Sequence, residues 1–326
     1  MKVGIAGAGS IVPGFLNAAS EVEGIKVQAI CCTPRGIENA RKIAQEYGID
    51  QVFTDYDEML ENREIDTVYV AVPNHLHYPF AQKALQKGKN AIVEKPFVTE
   101  GEQAEELRKL AEEKHLFLFE AIPNIYLPDY QKVRELVKEL GNIKIIQLNY
   151  SQYSRRYDAF KAGEILPAFD PAKAGGALMD LGVYNVHFVT GLFGYPEEAR
   201  YYPNVERDID TSGILVMKYG DRQCVCVAAK DCRAPVTVNI QGDKGFIHSD
   251  ASPNMFDHFE YSSNAGEAEN YALFAEVGHD RMYYELKEFE RAISDGDWQF
   301  MMERLDHSLK VTELMEKVRK QAGLSF

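Results

Sequence analysis

The chain opens with KVGIAGAG (residues 2–9), in which an apolar strand stops at a glycine turn. The apolar stretch around Phe15 and Leu16 follows and predicts a helix. Strand, glycine turn and helix in this order are the local context that a dinucleotide-binding fingerprint requires. Gly7 permits the tight turn, and Gly9 lets the backbone approach a pyrophosphate at the helix N-terminus.

This fingerprint lacks its third glycine, because Val12 occupies that position. A G-x-G turn alone is a weak signal, since plain turns and S-adenosylmethionine sites contain it as well. A methyltransferase therefore remains an alternative at this point. The candidate cofactor contacts in the turn are Gly7, Gly9, Ser10 and Ile11.

The length of 326 residues and the 45% hydrophobic content predict a globular protein of two domains. No apolar run approaches a membrane span, and the opening strand leaves no room for a signal peptide. Five cysteines in a chain of this size indicate reduced thiols, so we expect a cytoplasmic protein. The net charge of −14 argues against nucleic acid and anionic membranes as partners.

Strand and helix patterns alternate with short loops up to about residue 119, which predicts a doubly wound parallel sheet, the Rossmann arrangement. Ligands of such sheets lie beyond the carboxyl ends of the strands. Two strands, 67–72 and 89–93, end in polar turns on the same edge as the glycine turn. The candidate cofactor contacts that these two ends supply are Pro73, Asn74, His77, Glu94 and Lys95.

The tip of the second strand bears on the choice of cofactor. An NAD enzyme usually carries an acidic residue there to hold the ribose 2′-hydroxyl, and none precedes Glu38. Thr33 and Arg35 are placed to meet a 2′-phosphate instead, which favours NADP slightly over NAD. Arg35 as the cap of a solvated loop is an equally good interpretation.

Two sequence features resemble metal motifs but do not support a metal site. His75 and His77 form an H-x-H pair without an acidic or thiol ligand close in sequence. Cys224 and Cys226 lie on one face of a predicted strand, and no second pair of ligands accompanies them. We therefore expect no metal.

The character of the chain changes near residue 121, where we place the boundary between a Rossmann domain (1–121) and a second domain (122–326). Longer strands with period-two alternation predict an α+β domain with an open, mostly antiparallel sheet. A hairpin is predicted across residues 242–245, and closing helices over 280–294 and 301–321.

A polar stripe marks the helix that Gly175 and Gly176 open. Asp180, Tyr184 and His187 follow i, i+4, i+7 spacing on an otherwise apolar helix. Buried polar groups cost free energy unless each has a partner, so the stripe is either a site or a satisfied core network.

Four motifs together resemble, in order and spacing, the glucose–fructose oxidoreductase/inositol dehydrogenase (Gfo/Idh/MocA) family. They are Gly7-Ala8-Gly9, Pro73-Asn74-His75-Leu76-His77, Glu94-Lys95-Pro96 and the stretch from Gly175 to Tyr184. The resemblance implies NAD(P)-dependent hydride transfer on a sugar, a polyol or a related diol or carbonyl. It also implies homo-oligomers, dimers or tetramers, formed through the open sheet of the second domain.

The resemblance also implies roles for single residues. Lys95 matches a lysine that touches nicotinamide ribose and substrate, and Asp180 matches an acid on the substrate helix. Tyr184, together with Glu120-Ala121, is closer to glucose–fructose oxidoreductase and dihydrodiol dehydrogenase than to inositol dehydrogenase. Ile125 departs from that group, which often has an arginine near the substrate.

These roles make a consistent mechanism. A phenol with its ordinary pKa near 10 is a poor base at neutral pH, and an adjacent ammonium favours the phenolate. Tyr184 is the predicted general acid/base, Lys95 stabilises the substrate oxygen, Asp180 orients the substrate or the lysine, and His187 is a further contact or an alternative proton donor. The competing hypothesis is a regulator of the same fold that binds NAD(P) without turnover.

Overall fold

The computed structural model describes residues 1–266 and 268–326, which form two compact units. The first unit combines Met1–Ala121 with His279–Thr312, and the second combines Ile122–Gly278 with Glu313–Phe326. The first segment ends at Ala121, where the predicted boundary lies. Residues 279–312, which the sequence prediction places in the second domain, belong to the first unit.

The sheet of the first unit has six parallel strands in the order β3-β2-β1-β4-β5-β6. The strands are β1 (Lys2–Ala6), β2 (Lys26–Cys31), β3 (Gln51–Phe53), β4 (Thr67–Val70), β5 (Asn90–Glu94) and β6 (Leu118–Ala121). The helices between them are α1 (Val12–Glu21), α2 (Ile37–Tyr47), α3 (Tyr56–Glu61), α4 (His77–Gln86) and α5 (Gly101–Lys114). Strands β4 and β6 are buried throughout because helices cover both faces, and the Rossmann prediction is confirmed.

The strand order creates the binding edge of this sheet. The chain moves outward from β1 to β3 and then returns to the other side of β1 to form β4. A crevice opens at such a switch point, beyond the carboxyl ends of the two adjacent strands. The turns that follow β1, β4 and β5 therefore lie on the edge where a ligand of this fold binds.

The second unit contains an eight-stranded sheet in the order β14-β13-β12-β11-β7-β10-β9-β8. Its strands are β7 (Ile143–Ser151), β8 (Glu198–Glu206), β9 (Ile209–Tyr219), β10 (Arg222–Ala229), β11 (Thr237–Gly242), β12 (Gly245–Ser249), β13 (Phe259–Ser263) and β14 (Ala268–Tyr271). Within the described part of this second sheet, only β7 and β10 pair in parallel, and the other neighbours are antiparallel. The predicted open, mostly antiparallel sheet is confirmed, including its hairpin at residues 242–245.

The helices of the second unit are α6 (Pro128–Leu136), α7 (Arg155–Lys161), α8 (Val183–Phe193) and α9 (Leu273–Val277). The helix predicted from Gly175 differs from expectation at its start, because Leu178–Gly182 forms a π-helical turn before α8 begins. Such turns widen the helix locally, so the spacing of Asp180 from the later polar residues is not that of a regular α-helix.

The returning segment of the first unit carries α10 (Tyr283–Asp295) and the start of α11 (Trp298–Gln321). Aromatic packing attaches it to the parallel sheet: Phe289 stacks on Phe119 with ring centroids 4.3 Å apart, and Trp298 meets the edge of Phe117 at 5.8 Å. The packed residues lie far apart in the sequence, so no local pattern predicts that this segment joins the first unit. Across the part of the chain that the structure describes, we find no helix with the length and apolarity to span a membrane.

Candidate active site

The glycine turn after β1 has a conformation that only glycine fits at its first position. Gly7 has φ +123°, and a Cβ built there would lie 2.2 Å from the carbonyl oxygen of Ala71. A Cβ at Gly9 would meet no atom within 4 Å. The side chain of Asn39 in α2 donates to the Ala8 carbonyl at 2.7 Å and holds the turn. The sequence analysis did not identify Asn39.

Helix α1 presents its N-terminus beside this turn. Ile11 caps it without a side-chain hydrogen bond, and α1, every residue of which is described, has no acidic side chain in its first turn. First-turn N–H groups lack intrahelical acceptors and attract anions. The open space over Gly9 and the uncapped helix fit the pyrophosphate of a dinucleotide, which the exposed Ser10 and the half-buried Ile11 flank.

The loop after β2 carries the residues that would distinguish the two nicotinamide cofactors. Thr33 precedes a short 3₁₀ turn, Pro34–Gly36, and both Thr33 and Arg35 are exposed. Glu38 lies in the first turn of α2, beyond the strand tip. A cationic and a hydroxyl side chain therefore remain accessible at the position where this fold binds the adenosine ribose.

His77, a predicted cofactor contact, lies in the interior with 1% of its surface exposed. Its Nδ1 is 2.8 Å from the Pro96 carbonyl oxygen and its Nε2 is 2.9 Å from that of Val72. Burial lowers the pKa of the imidazole, against the opposing effect of these carbonyls. The His77 ring thus joins the turns after β4 and β5. The other two predicted cofactor contacts of the turn after β4 are more accessible, since Pro73 is exposed and Asn74 is half-buried.

The turn after β5 is fixed on several sides. The Lys95–Pro96 peptide bond is cis, and Lys95 is half-buried. Glu94 is 8% exposed; its carboxylate accepts from the Tyr69 hydroxyl and, at 3.1 Å, from the Lys95 backbone N–H. Burial raises the pKa of the Glu94 carboxyl, while Tyr69, Lys95 and Arg281 oppose that rise.

A second carboxylate supports the same turn from β6. Glu120, 4% exposed, accepts a hydrogen bond from the Phe97 backbone N–H at 2.8 Å. Together with His77 it holds the backbone on both sides of Pro96. Lys95 therefore lies in a turn whose backbone is hydrogen-bonded on both sides, at the edge of the sheet where a ligand of this fold binds.

In the second unit, Asp210 anchors the start of the polar helix. This carboxylate is 1% exposed and accepts from the Leu178 N–H at 2.7 Å. Gly176 has φ +107°, and a Cβ there would lie 2.0 Å from Asp210 Oδ1. Gly176 is therefore required by the close approach between this turn and β9, whereas a Cβ at Gly175 would lie 2.8 Å from the Pro167 carbonyl oxygen.

The predicted polar residues of this helix have different exposures. The side chain of Asp180 is 32% exposed and lies 2.8 Å from the ammonium of Lys230. Tyr184 is 5% exposed, and its backbone carbonyl accepts from Asn124 Nδ2 at 3.0 Å. His187 is fully buried. The helix thus offers a carboxylate that solvent reaches, whereas its phenol and its histidine are both buried.

The first unit carries a turn suited to an anion and an ammonium, and the second unit carries a carboxylate and a phenol. Groups of these types can bind a dinucleotide and exchange a proton with a hydroxyl. Among residues 1–266 and 268–326, no three His, Cys, Asp or Glu side chains are grouped to hold a metal ion.

Two family models match the chain. Residues 1–122 match the oxidoreductase family with an NAD-binding Rossmann fold (GFO_IDH_MocA), and residues 130–248 match the GFO/IDH/MocA C-terminal domain. The scyllo-inositol 2-dehydrogenase (NADP(+)) IolU of Bacillus subtilis (strain 168) is 30% identical over 100% of this chain and 98% of its own.

Two further proteins extend the comparison. The trans-1,2-dihydrobenzene-1,2-diol dehydrogenase of Xenopus tropicalis is 31% identical over 76% of this chain and 74% of its own. The solved structure of levoglucosan dehydrogenase, in complex with NADH and levoglucosan, superposes with a TM-score of 0.85 at 17% identity, covering 99% and 97% of the two chains. The likeness to levoglucosan dehydrogenase shows the fold alone.

The chain belongs to the Gfo/Idh/MocA oxidoreductase family, as its motifs indicate. It is an NAD(P)-dependent oxidoreductase that acts on CH–OH groups. This result favours catalysis over the regulator and the methyltransferase that the sequence left as alternatives.

Proposed function

We propose that this enzyme transfers a hydride between NADP(H) and a sugar, polyol or related vicinal diol, with Lys95, Asp180 and Tyr184 as its substrate-facing groups. The observation that carries the proposal is the turn that contains Lys95, which His77 and Glu120 hold at the ligand-binding edge through hydrogen bonds to its backbone. The carboxylate and phenol of the second unit supply the polar groups that a polyhydroxylated substrate requires.

The cofactor assignment follows from the loops of the first unit. Gly7, Gly9, Ser10 and Ile11 hold the pyrophosphate, while Pro73, Asn74 and Lys95 lie along the nicotinamide half. Thr33 and Arg35 bind the 2′-phosphate, which makes NADP the preferred form, in line with the NADP(+) in the name of the Bacillus relative. We assign His77 and Glu94 to the support beneath these contacts, because both are buried.

The chemistry is a two-electron oxidation of an alcohol. A bound nicotinamide would take up the hydride that leaves the CH–OH carbon as the carbonyl forms, so the chain's own residues have to accept the O–H proton. Tyr184 accepts that proton, and Lys95 stabilises the oxygen as charge develops on it. Asp180 accepts a hydrogen bond from a neighbouring hydroxyl and so sets the substrate's orientation. His187 is completely buried, so we assign it a supporting role.

A panel of substrates tests the proposal directly. Oxidised cofactor is incubated with aldoses, inositols, other polyols and vicinal diols that carry deuterium on their CH–OH carbons, and transfer of deuterium to the nicotinamide is measured by mass spectrometry. Transfer from at least one class is the expected result, and its absence from all of them contradicts the proposed function.

Two variants then test the roles. Lys95→Ala and Tyr184→Phe should each lower kcat by about 10²–10⁴-fold, while NADPH still binds. Lys132→Ala and Tyr195→Phe are matched surface controls, since Lys132 pairs with Glu135 on α6 and Tyr195 is 39% exposed. Unchanged turnover in both site variants would contradict the assigned roles.

We further propose that two or four copies associate through the open face of the eight-stranded sheet. Large apolar side chains stand exposed on four of its strands, although at least one chain neighbour of each is buried; they are Ile145, Tyr202, Ile214 and Phe246. An exposed apolar face of this kind marks an interface.

We also assign the enzyme to the cytosol, because its five cysteines are free thiols.

A further inference from the structure

The ammonium of Lys230 is a feature of the second unit that neither the motifs nor the proposed roles account for. Lys230 directly follows β10, and its backbone is fixed on both sides. Its N–H donates to the Thr211 carbonyl at 2.9 Å, and its own carbonyl accepts from the Ser154 N–H at 2.9 Å. The side chain therefore starts from a well-defined position on the sheet.

The Lys230 ammonium is enclosed by polar and aromatic groups, and its side chain is only 2% exposed. Nζ donates to the Ala168 carbonyl at 2.7 Å, lies 2.8 Å from Asp180 Oδ2, and stands 4.4 Å from the centroid of the Phe169 ring. A buried ammonium is tolerated only where partners compensate its lost hydration. Here a carbonyl, a carboxylate and an aromatic face do so.

The two partners of the ion pair differ in their access to solvent. The Asp180 side chain is 32% exposed, so it extends from the buried lysine toward the surface of the unit. The Lys230 charge also acts on a second carboxylate, Asp210. Burial raises the pKa of Asp210, and the Lys230 charge opposes that rise. Asp210 is 1% exposed and is held by Leu178 and Tyr201. Of these two carboxylates, Asp180 is therefore the one that a substrate can reach.

We propose that Lys230 is a positioning residue of the catalytic site: it keeps the Asp180 carboxylate ionised and in one orientation, ready to accept a substrate hydroxyl. The proposal rests on the proposed function, because Asp180 is taken there as the group that orients the substrate. A purely structural alternative holds that the ion pair only ties the end of β10 to the π-helical turn. The two ideas make different predictions for variants that lack Asp180.

The decisive experiment is a double-variant cycle on turnover with Lys230→Met, Asp180→Asn and the combined variant. Lys230→Met should lower kcat by about 100-fold with a much smaller change in KM, because a misplaced orienting group lowers the rate of the chemical step. In the Asp180→Asn background the same change should alter kcat less than threefold. Lys132→Met, which breaks an exposed pair on α6, is the control and should leave kcat unchanged.

A second substitution serves as a control for misfolding. Lys230→Gln keeps an N–H donor for the Ala168 carbonyl but lacks the charge, and it should reproduce the loss in kcat if Lys230→Met does not fold. NADPH binding by protein fluorescence should stay within threefold of the wild type in each folded variant, since the dinucleotide contacts belong to the first unit. Equal losses in kcat with and without Asp180 would overturn the proposal in favour of the structural alternative.

One measurement is independent of turnover and so separates this inference from the proposed function. In protein labelled with carbon-13 at the aspartate carboxyl groups, the Asp180 resonance is the one that Asp180→Asn removes. Its titration midpoint should move to higher pH in Lys230→Gln, by about one pH unit or more, because an adjacent ammonium favours the ionised carboxylate. An unchanged midpoint overturns the inference even if wild-type turnover is found. A moved midpoint shows that Lys230 keeps the Asp180 carboxylate ionised even if no substrate is turned over, and the variant cycle separates positioning from a purely structural pair.

Discussion

Asp210 accepts a hydrogen bond from the Tyr201 hydroxyl at 2.8 Å, inside the hairpin that β8 and β9 form. The same carboxylate oxygen accepts from the Leu178 N–H at 2.7 Å, so one buried residue joins the sheet to the helix that carries Asp180 and Tyr184. Burial raises the pKa of the Asp210 carboxyl to about 6.

This carboxyl should make stability fall as pH rises from about 4 to 6. The folded state keeps a proton there that the unfolded chain, with the ordinary pKa of 3.8, has released. Relative to Asp210→Asn, the wild type should lose up to about 3 kcal/mol of unfolding free energy across that window. Urea unfolding at several pH values measures the difference, with the exposed Asp208→Asn as control. Parallel curves for wild type and Asp210→Asn would contradict the prediction.

Two neighbouring glycines should respond differently to alanine. Gly7→Ala places a Cβ 2.2 Å from a carbonyl oxygen at positive φ, so it should lower the melting temperature as well as cofactor affinity. Gly9→Ala meets no protein atom and should leave the melting temperature unchanged. It should nevertheless weaken NADPH binding by about tenfold or more, because the backbone must approach the pyrophosphate closely. If Gly9→Ala binds NADPH as the wild type does, the pyrophosphate does not lie over this turn.

Cofactor choice should depend on Arg35. Arg35→Ala removes a charge-assisted hydrogen bond to a 2′-phosphate, worth about 1.5–3 kcal/mol, and should raise the Kd for NADPH by about 10- to 100-fold. The Kd for NADH should not change. Fluorescence titration of both cofactors checks this, with Arg41→Ala, which breaks an exposed pair with Glu38, as the matched control. An equal effect on the two cofactors would show that Arg35 does not contact the phosphate.

Association through the sheet should be sensitive to one charge. Ile214 is 45% exposed on β9 and pairs directly with Tyr202 on β8. Ile214→Glu would bury an unpaired carboxylate in the proposed interface and should shift the enzyme to monomers at micromolar concentration. Light scattering after size exclusion measures the mass. Val277→Glu, 56% exposed on α9, is the control and should leave the mass unchanged. A monomeric wild type would refute the interface.

Much of the first unit was predictable because its signals are local. A strand that ends at Gly7, an apolar β4 and a turn at Lys95 are each visible in a short window, and strand–helix alternation admits few topologies. The same holds for the period-two strands and the hairpin at 242–245. The π-helical turn before α8 could not be predicted in this way, since Asp210 contacts Leu178 there, 32 residues away in the sequence.

Sequence alone therefore determined the two kinds of sheet, the glycine turn and the side chains, Lys95, Asp180 and Tyr184, on which catalysis is proposed to depend. Tertiary structure decided what holds them: His77 beneath the cis turn, Glu120 beside it, and Lys230 against Asp180. The physical reason is that a buried polar group takes whichever partner the fold brings within 3 Å. Lys230 and Ala168, for example, are 62 residues apart, and no local pattern records such a pairing.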